Sequence, residues 1–223
     1  VINSTDDISF QFFKLYDVVG TLTVDGESVG NIVVSAGGKQ TVTDQNGNFE
    51  IPQIYGNQQV VVDSQAYFVE MSSQNVSASC NQIVVSMQQY YDAELSFVAL
   101  ENSLAQTQIL VNGQTFTSTE SGTIVFEKLY GEKTFVCSID NFNAQTVVTT
   151  KNSGNQQIVF DFCVSGYATS GSAKVEGAKI FYGQDYVLTD ENGYYQIDGL
   201  TTECTLQAQK EFYTFADAQT ANC

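Results

Sequence analysis

Thr43-Asp44-Gln45-Asn46-Gly47-Asn48-Phe49-Glu50-Ile51 reads as a hairpin, because its Asn-Gly pair tolerates positive φ and sits between a short β-branched run and an alternating one. It returns as Thr189-Asp-Glu-Asn-Gly193-Tyr-Tyr-Gln-Ile197 and, in degenerate form, as Thr119-Glu-Ser-Gly122-Thr-Ile-Val125. Seven residues past each turn glycine lie Ile54, Leu129 and Leu200; nine past lie Gly56, Gly131 and Thr202; twenty past lie Tyr67, Phe142 and Tyr213. Markers held at fixed offsets define an internal repeat. The second glycine follows the first by 75 residues and the third follows by 71.

Outward from the turns, each copy reads as strand nearly throughout, with short runs at residues 31–35, 41–43, 49–51 and 60–62 in the first. No window carries a sustained apolar period of 3.6, and the nearest approach to a helix, residues 100–105, is short, polar and reads as a loop. Short strands at regular spacing predict an all-β chain of three tandem Ig-like β-sandwich domains. The expected boundaries are 1–17 for an N-terminal segment, then 18–90, 91–163 (degenerate) and 164–223.

Three apolar segments mark the ends of these units: Ile8-Ser-Phe-Gln-Phe12, Ile83-Val-Val-Ser-Met87 and Ile158-Val-Phe-Asp-Phe162, spaced 75 and 75 residues apart. The latter two supply closing strands for the first and second units. On this register the third unit lacks its last strand and the N-terminal segment is surplus. The expectation is either an excerpt of a longer array or a subunit whose first strand completes a neighbour's last domain. Ile8, Phe10 and Phe12 alternate with polar residues, and with Phe13 they form the expected assembly strand. The partner would then be another copy of the same chain, joined head to tail by non-closing contacts.

The order of G-x-L/V, an apolar strand, T-D-x-N-G-x-F/Y-x-I, apolar-x-Gly, V-x-V and an aromatic twenty past the turn resembles the carboxypeptidase-regulatory-like and transthyretin-like domains, and is similar to Cna B-type repeats of surface adhesins. The resemblance is good over 20–87 and 164–213 and weak in the second copy. It implies a prealbumin-like sandwich of seven strands in a structural or carbohydrate-facing module of secreted proteins. Of the isopeptide link that the Cna B-type likeness invites, Lys14, Lys174 and Lys179 offer the amine, but no matching Asn stands on a closing strand, and the bond is not expected.

Eight basic residues, all lysine, oppose 25 acidic ones for a formal charge of −17, with no histidine, arginine or tryptophan. Clustered cations for phosphate are lacking, so nucleic acid is not an expected partner. No apolar run approaches the roughly 20 residues that span a bilayer. Without histidine the commonest general base is missing, and the carboxylate pairs Asp6-Asp7 and Asp190-Glu191 sit in a tail and a turn; no catalytic residue and no cofactor is expected. Asp44, Asn46, Asn48 and Glu50 alternate as calcium ligands do, but the hairpin already accounts for them, and no metal site is expected.

Five cysteines without a C-x-x-C pair fit an oxidising, extracellular setting. Cys137 with Cys163 and Cys204 with Cys223 are the expected disulfides, leaving Cys80 as an intermolecular crosslink or a buried free thiol. Asn3 and Asn75 open glycosylation sequons, each expected in an exposed linking segment. The function these features predict is a structural subunit of an extracellular filament or surface appendage. The alternative is a cell-surface adhesin or carbohydrate-binding module, with Tyr90, Tyr91, Tyr194 and Tyr195 as stacking candidates.

Overall fold

A computed structural model of the chain describes residues 10–70, 73–215 and 219–221. Ile8, Asn3 and Cys223 therefore lie outside the described residues. The chain is all-β, and it divides into two compact units, Val1–Tyr91 and Asp92–Cys223.

The first unit comprises β1 (Leu15–Val24), β2 (Glu27–Ser28), β3 (Val33–Ala36), β4 (Lys39–Val42), β5 (Asn48–Tyr55), β6 (Gln58–Asp63), β7 (Tyr67–Val69), β8 (Ser73–Val76) and β9 (Gln82–Gln89). One sheet has the order β2-β1-β9-β7, with β5 on the same edge of β1 as β2; the second is β4-β3-β6-β8. Alternation sets the inner faces. In β9, Ile83, Val85 and Met87 are buried while Val84 between them is exposed, and they pack with Leu22 and Ile51 against Val34 and Val60 of the opposite sheet. Each such side chain contributes roughly 1.5–3 kcal/mol of burial.

The hairpin at residues 43–51 is held by its own polar groups. The Asp44 carboxylate accepts the N–H groups of Asn46 and Asn48, both at 2.8 Å, and the bond from the Asn48 amide holds this carboxyl below its usual range. Gly47 takes φ +74°, and its carbonyl accepts the Leu22 N–H at 2.8 Å, pinning the turn to β1. Asp190 and Gly193 repeat every one of these contacts on Ala168, whereas Thr119 stands in for the aspartate beside Gly122.

A buried hydroxyl recurs just before each turn, and only two of its three positions are visible as threonine in the motif. Thr43 Oγ1 donates to the Val29 carbonyl (2.8 Å) and accepts the Ile32 N–H (3.1 Å). Thr189 does the same with Val175 (2.6 Å) and Ala178 (2.9 Å). Ser118, rather than Thr119, fills the second position, bonded to Leu104 and Thr107. Thr43→Val keeps the shape but strands two buried backbone groups, and it is expected to cost the first unit about 1–3 kcal/mol, read as a lowered midpoint in urea unfolding.

The second unit carries the four-stranded sheet of the first twice. Its first set is β10 (Tyr91–Ala99), β11 (Asn102–Ser103), β12 (Gln108–Val111), β13 (Gln114–Thr117), β14 (Thr123–Leu129), β15 (Lys133–Ser138), β16 (Gln145–Thr149) and β17 (Gln156–Phe160). Its second set is β18 (Phe162–Tyr167), β19 (Thr169–Ser170), β20 (Ala173–Lys174), β21 (Lys179–Tyr182), β22 (Asp185–Leu188), β23 (Tyr194–Leu200), β24 (Cys204–Gln209) and β25 (Gln219–Ala221). The sheets β13-β12-β15-β16 and β22-β21-β24-β25 reproduce β4-β3-β6-β8.

The closing strands differ from the sequence register. Leu22 and Phe97 are counterparts, since each donates its N–H to the turn glycine carbonyl. Val85 lies opposite Leu22, and Ile158 lies opposite Phe97. Ile158 is thus the counterpart of Val85 and not of Ile83. Residues 158–162 are also divided, since Phe160 ends β17 and Phe162 opens β18, where it is buried beside Phe142 at a ring distance of 5.9 Å. A slip of two keeps the same residues facing inward, so the alternation cannot reveal it.

Candidate functional site

The first strands of the three sets are not all paired alike. β1 lies between β5, antiparallel, and β9, parallel; β10 lies between β14 and β17, again with the closing strand parallel. Among the described residues β18 pairs with β23 alone. Among the described residues, nothing pairs with the edge that β9 and β17 take in the other two sets. Across that ladder in the first unit the Val19 N–H donates to the Asn81 carbonyl at 3.0 Å; Ser165 occupies the corresponding place on β18.

The core beneath the open edge is correspondingly thin. Val18, Phe49 and Ile54 are buried in the first unit, but their counterparts Val164, Tyr195 and Leu200 are only partly covered. Tyr195 lies over Gly166, and partial burial raises its phenol above its usual pKa. The segment that follows β24 is equally bare. Tyr67 and Val69 in β7 pair with Gln89 and Met87 of β9. Their counterparts Tyr213 and Phe215 form no strand and are 48% and 44% exposed. Among the described residues, β18 thus has open backbone along one edge, and the apolar Tyr213 and Phe215 are only half covered.

The expected assembly strand has the complementary character. Phe10 and Phe12 are 80% and 90% exposed, and residues 10–14 form no strand. They run directly into β1, just as β9 runs into β10 through Tyr90 alone and β17 into β18 through Asp161 alone. In both described cases the strand immediately before a first strand closes the preceding set. Phe13 differs from its neighbours, since its ring meets Tyr55 at 5.5 Å.

The cysteines are free among the described residues, so the expected Cys137–Cys163 bridge is not formed. Cys137 points into the core from β15, and burial pushes its thiol up to about 11. Cys163 faces outward between Phe162 and Val164. Cys204 stands opposite Ala221 in the β24–β25 pair, two residues short of Cys223. Cys80 is exposed rather than buried. Asn75 is exposed on β8, an edge strand, and not in a linking segment.

Tyr90, Tyr91, Tyr194 and Tyr195 are all partly buried. Lys174 and Lys179 lie over the rings of Tyr167 and Tyr186, at 4.4 and 4.5 Å. Among the described residues no three His, Cys, Asp or Glu side chains converge as a metal site would require.

No protein family and no curated protein matches the chain. Among solved structures it is similar to the Bacillus anthracis TIE protein, at 12% identity and a TM-score of 0.34, over 93% of this chain and 48% of that one. A streptococcal ancillary pilin aligns at 13% identity and a TM-score of 0.34 over 65% of this chain and 62% of its own. The major pilin subunit of Bacillus cereus aligns at 11% identity and a TM-score of 0.30, over 93% and 95%. The chain thus spans about half of the first of these and less than two thirds of the second.

Proposed function

We propose that the chain is a structural, non-enzymatic subunit of an extracellular filament or surface appendage, assembled head to tail. Residues 8–13 of one copy complete the third repeat of the next. The observation that carries this reading is the open edge of β18, set beside an exposed segment that precedes β1 as β9 precedes β10. A strand added there gains ladder hydrogen bonds and covers apolar side chains at once.

The contact is heterologous: the donor lies before the first repeat and the acceptor in the third, so the interaction repeats without self-closure unless its rotation closes a ring. With a net charge of −17, neighbouring subunits repel, and screening by salt favours the joint. Sedimentation across a dilution series, with micrographs of the same samples, tests the proposal. Rods that shorten on dilution are expected. A folded, monodisperse monomer at high concentration would refute it, and rods built from one much longer polypeptide would replace exchange with closure inside a covalent array.

A further inference from the structure

We infer that the incoming segment seats in a single register, parallel to β18, with Phe10 opposite Ala168, Gln11 opposite Thr169, and Tyr213–Phe215 closing along its other side. This rests on the assembly reading above. The register follows from a match without gaps: Ile8-x-Phe10-x-Phe12-x-x-x-Tyr16-Asp17-Val18 repeats Ile83-x-Val85-x-Met87-x-x-x-Tyr91-Asp92-Ala93. The two aspartates do the same work, since Asp17 Oδ1 accepts the Gln53 N–H at 2.8 Å and Asp92 Oδ1 accepts the Lys128 N–H at 2.9 Å. β1 and β10 therefore begin in the same frame.

Val85 lies opposite Leu22 and precedes Phe97, the counterpart of Leu22 in β10, by twelve residues. Phe10 precedes Leu22 by the same twelve. Carrying the β9 frame to the third repeat sets Phe10 against Ala168, the remaining counterpart. Side-chain size agrees: Leu22 meets Val85, Phe97 meets Ile158, and the small Ala168 leaves most room for the large phenyl ring.

A competing frame exists, because Ile158 precedes Ala168 by only ten residues. It would move Phe12 to Ala168 and Gln11 to Tyr167. That junction lacks the Tyr-Asp pair, having Phe162-Cys163 instead, and Asn143 ties it through the Asp161 carbonyl and carboxylate, both at 2.7 Å. The N-terminal segment has neither feature.

On the far side, Met87 faces Val69 and Gln89 faces Tyr67. Transferred, these pairs bring Phe12 to Phe215 and Lys14 to Tyr213, an aromatic pair and a cation over a ring. The half-exposed Tyr213 and Phe215 thereby gain the cover that Tyr67 and Val69 have from β9.

Cysteine pairs distinguish the frames, because residues directly opposite on adjacent strands fall within disulfide reach. With Cys80, Cys163, Cys204 and Cys223 changed to serine and the buried Cys137 kept, Gln11→Cys with Thr169→Cys is expected to give a ladder of intermolecular crosslinks under mild oxidation. Gln11→Cys with Tyr167→Cys is expected to match the single-cysteine controls. A ladder from the Tyr167 pair, or rods in the micrograph with neither ladder, overturns the register and leaves the assembly reading intact. A serine parent that is folded and monomeric at every concentration overturns both.

Discussion

With Phe10→Asp and Phe12→Asp together, the protein is expected to stay a folded monomer at concentrations where the parent polymerises. Both rings project into solvent from the first unit, so their loss leaves its unfolding midpoint where it was. In the assembled state each would be buried against the third repeat, and burial of a phenylalanine is worth roughly 1.5–3 kcal/mol. Losing both weakens the joint by roughly 3–6 kcal/mol, or about a hundredfold to ten-thousandfold in affinity. An unpaired carboxylate in the slot adds a desolvation cost on top. Sedimentation equilibrium reads the association, and calorimetry reads the first unit. Rods that persist in the double variant would show that the joint lies elsewhere.

Gly47→Ala is expected to destabilise the first unit by about 3 kcal/mol or more, near the upper range for single substitutions. Two costs combine. The φ of +74° strains any residue bearing a Cβ, by roughly 1–2 kcal/mol. The added Cβ would also fall well inside van der Waals contact with the Leu22 carbonyl oxygen, which already accepts no slack because Leu22 and Gly47 are hydrogen-bonded. Gly26 provides the comparison: it has φ +89° with nothing near its missing Cβ, so Gly26→Ala is expected to cost only the strain, roughly 1–2 kcal/mol. Urea denaturation of both variants separates the terms. Equal losses would mean that strain alone matters and that the close approach of the turn to β1 does not.

The turn glycines and the alternating strands were legible in the sequence, because period-two patterning and Asn-Gly chemistry are local signals. Pairing register was not. Ile83 and Ile158 look alike in the pattern, yet they occupy different rungs, since a shift of two leaves every inward residue inward. Ser118 was hidden for another reason. Its role depends on a hydroxyl reaching Leu104 and Thr107 across a loop, and neighbouring Thr119 copies the motif letter without the buried position. The Cys137–Cys163 pairing fails because spacing says nothing about side-chain direction: Cys137 points inward from one strand and Cys163 outward from another. In the sequence Tyr213 is only a marker of the repeat, and Phe215 is not marked at all. Their meaning emerged from β7, which shows what their counterparts do when a closing strand is present.

The parallel pairing of β1 with β9 has a mechanical consequence. A pull on the chain enters the first unit where β1 begins, at Leu15, and leaves where β9 ends, at Gln89, at opposite ends of two strands joined from Val19–Gln82 to Val24–Met87. Such a load acts along the strands, so the hydrogen bonds between them must yield together under shear instead of opening one after another. The β10–β17 ladder is oriented in the same way. An incoming strand held parallel to β18 would give the joint between subunits that resistance too, so a non-covalent thread could bear drag that would unzip an end-loaded hairpin.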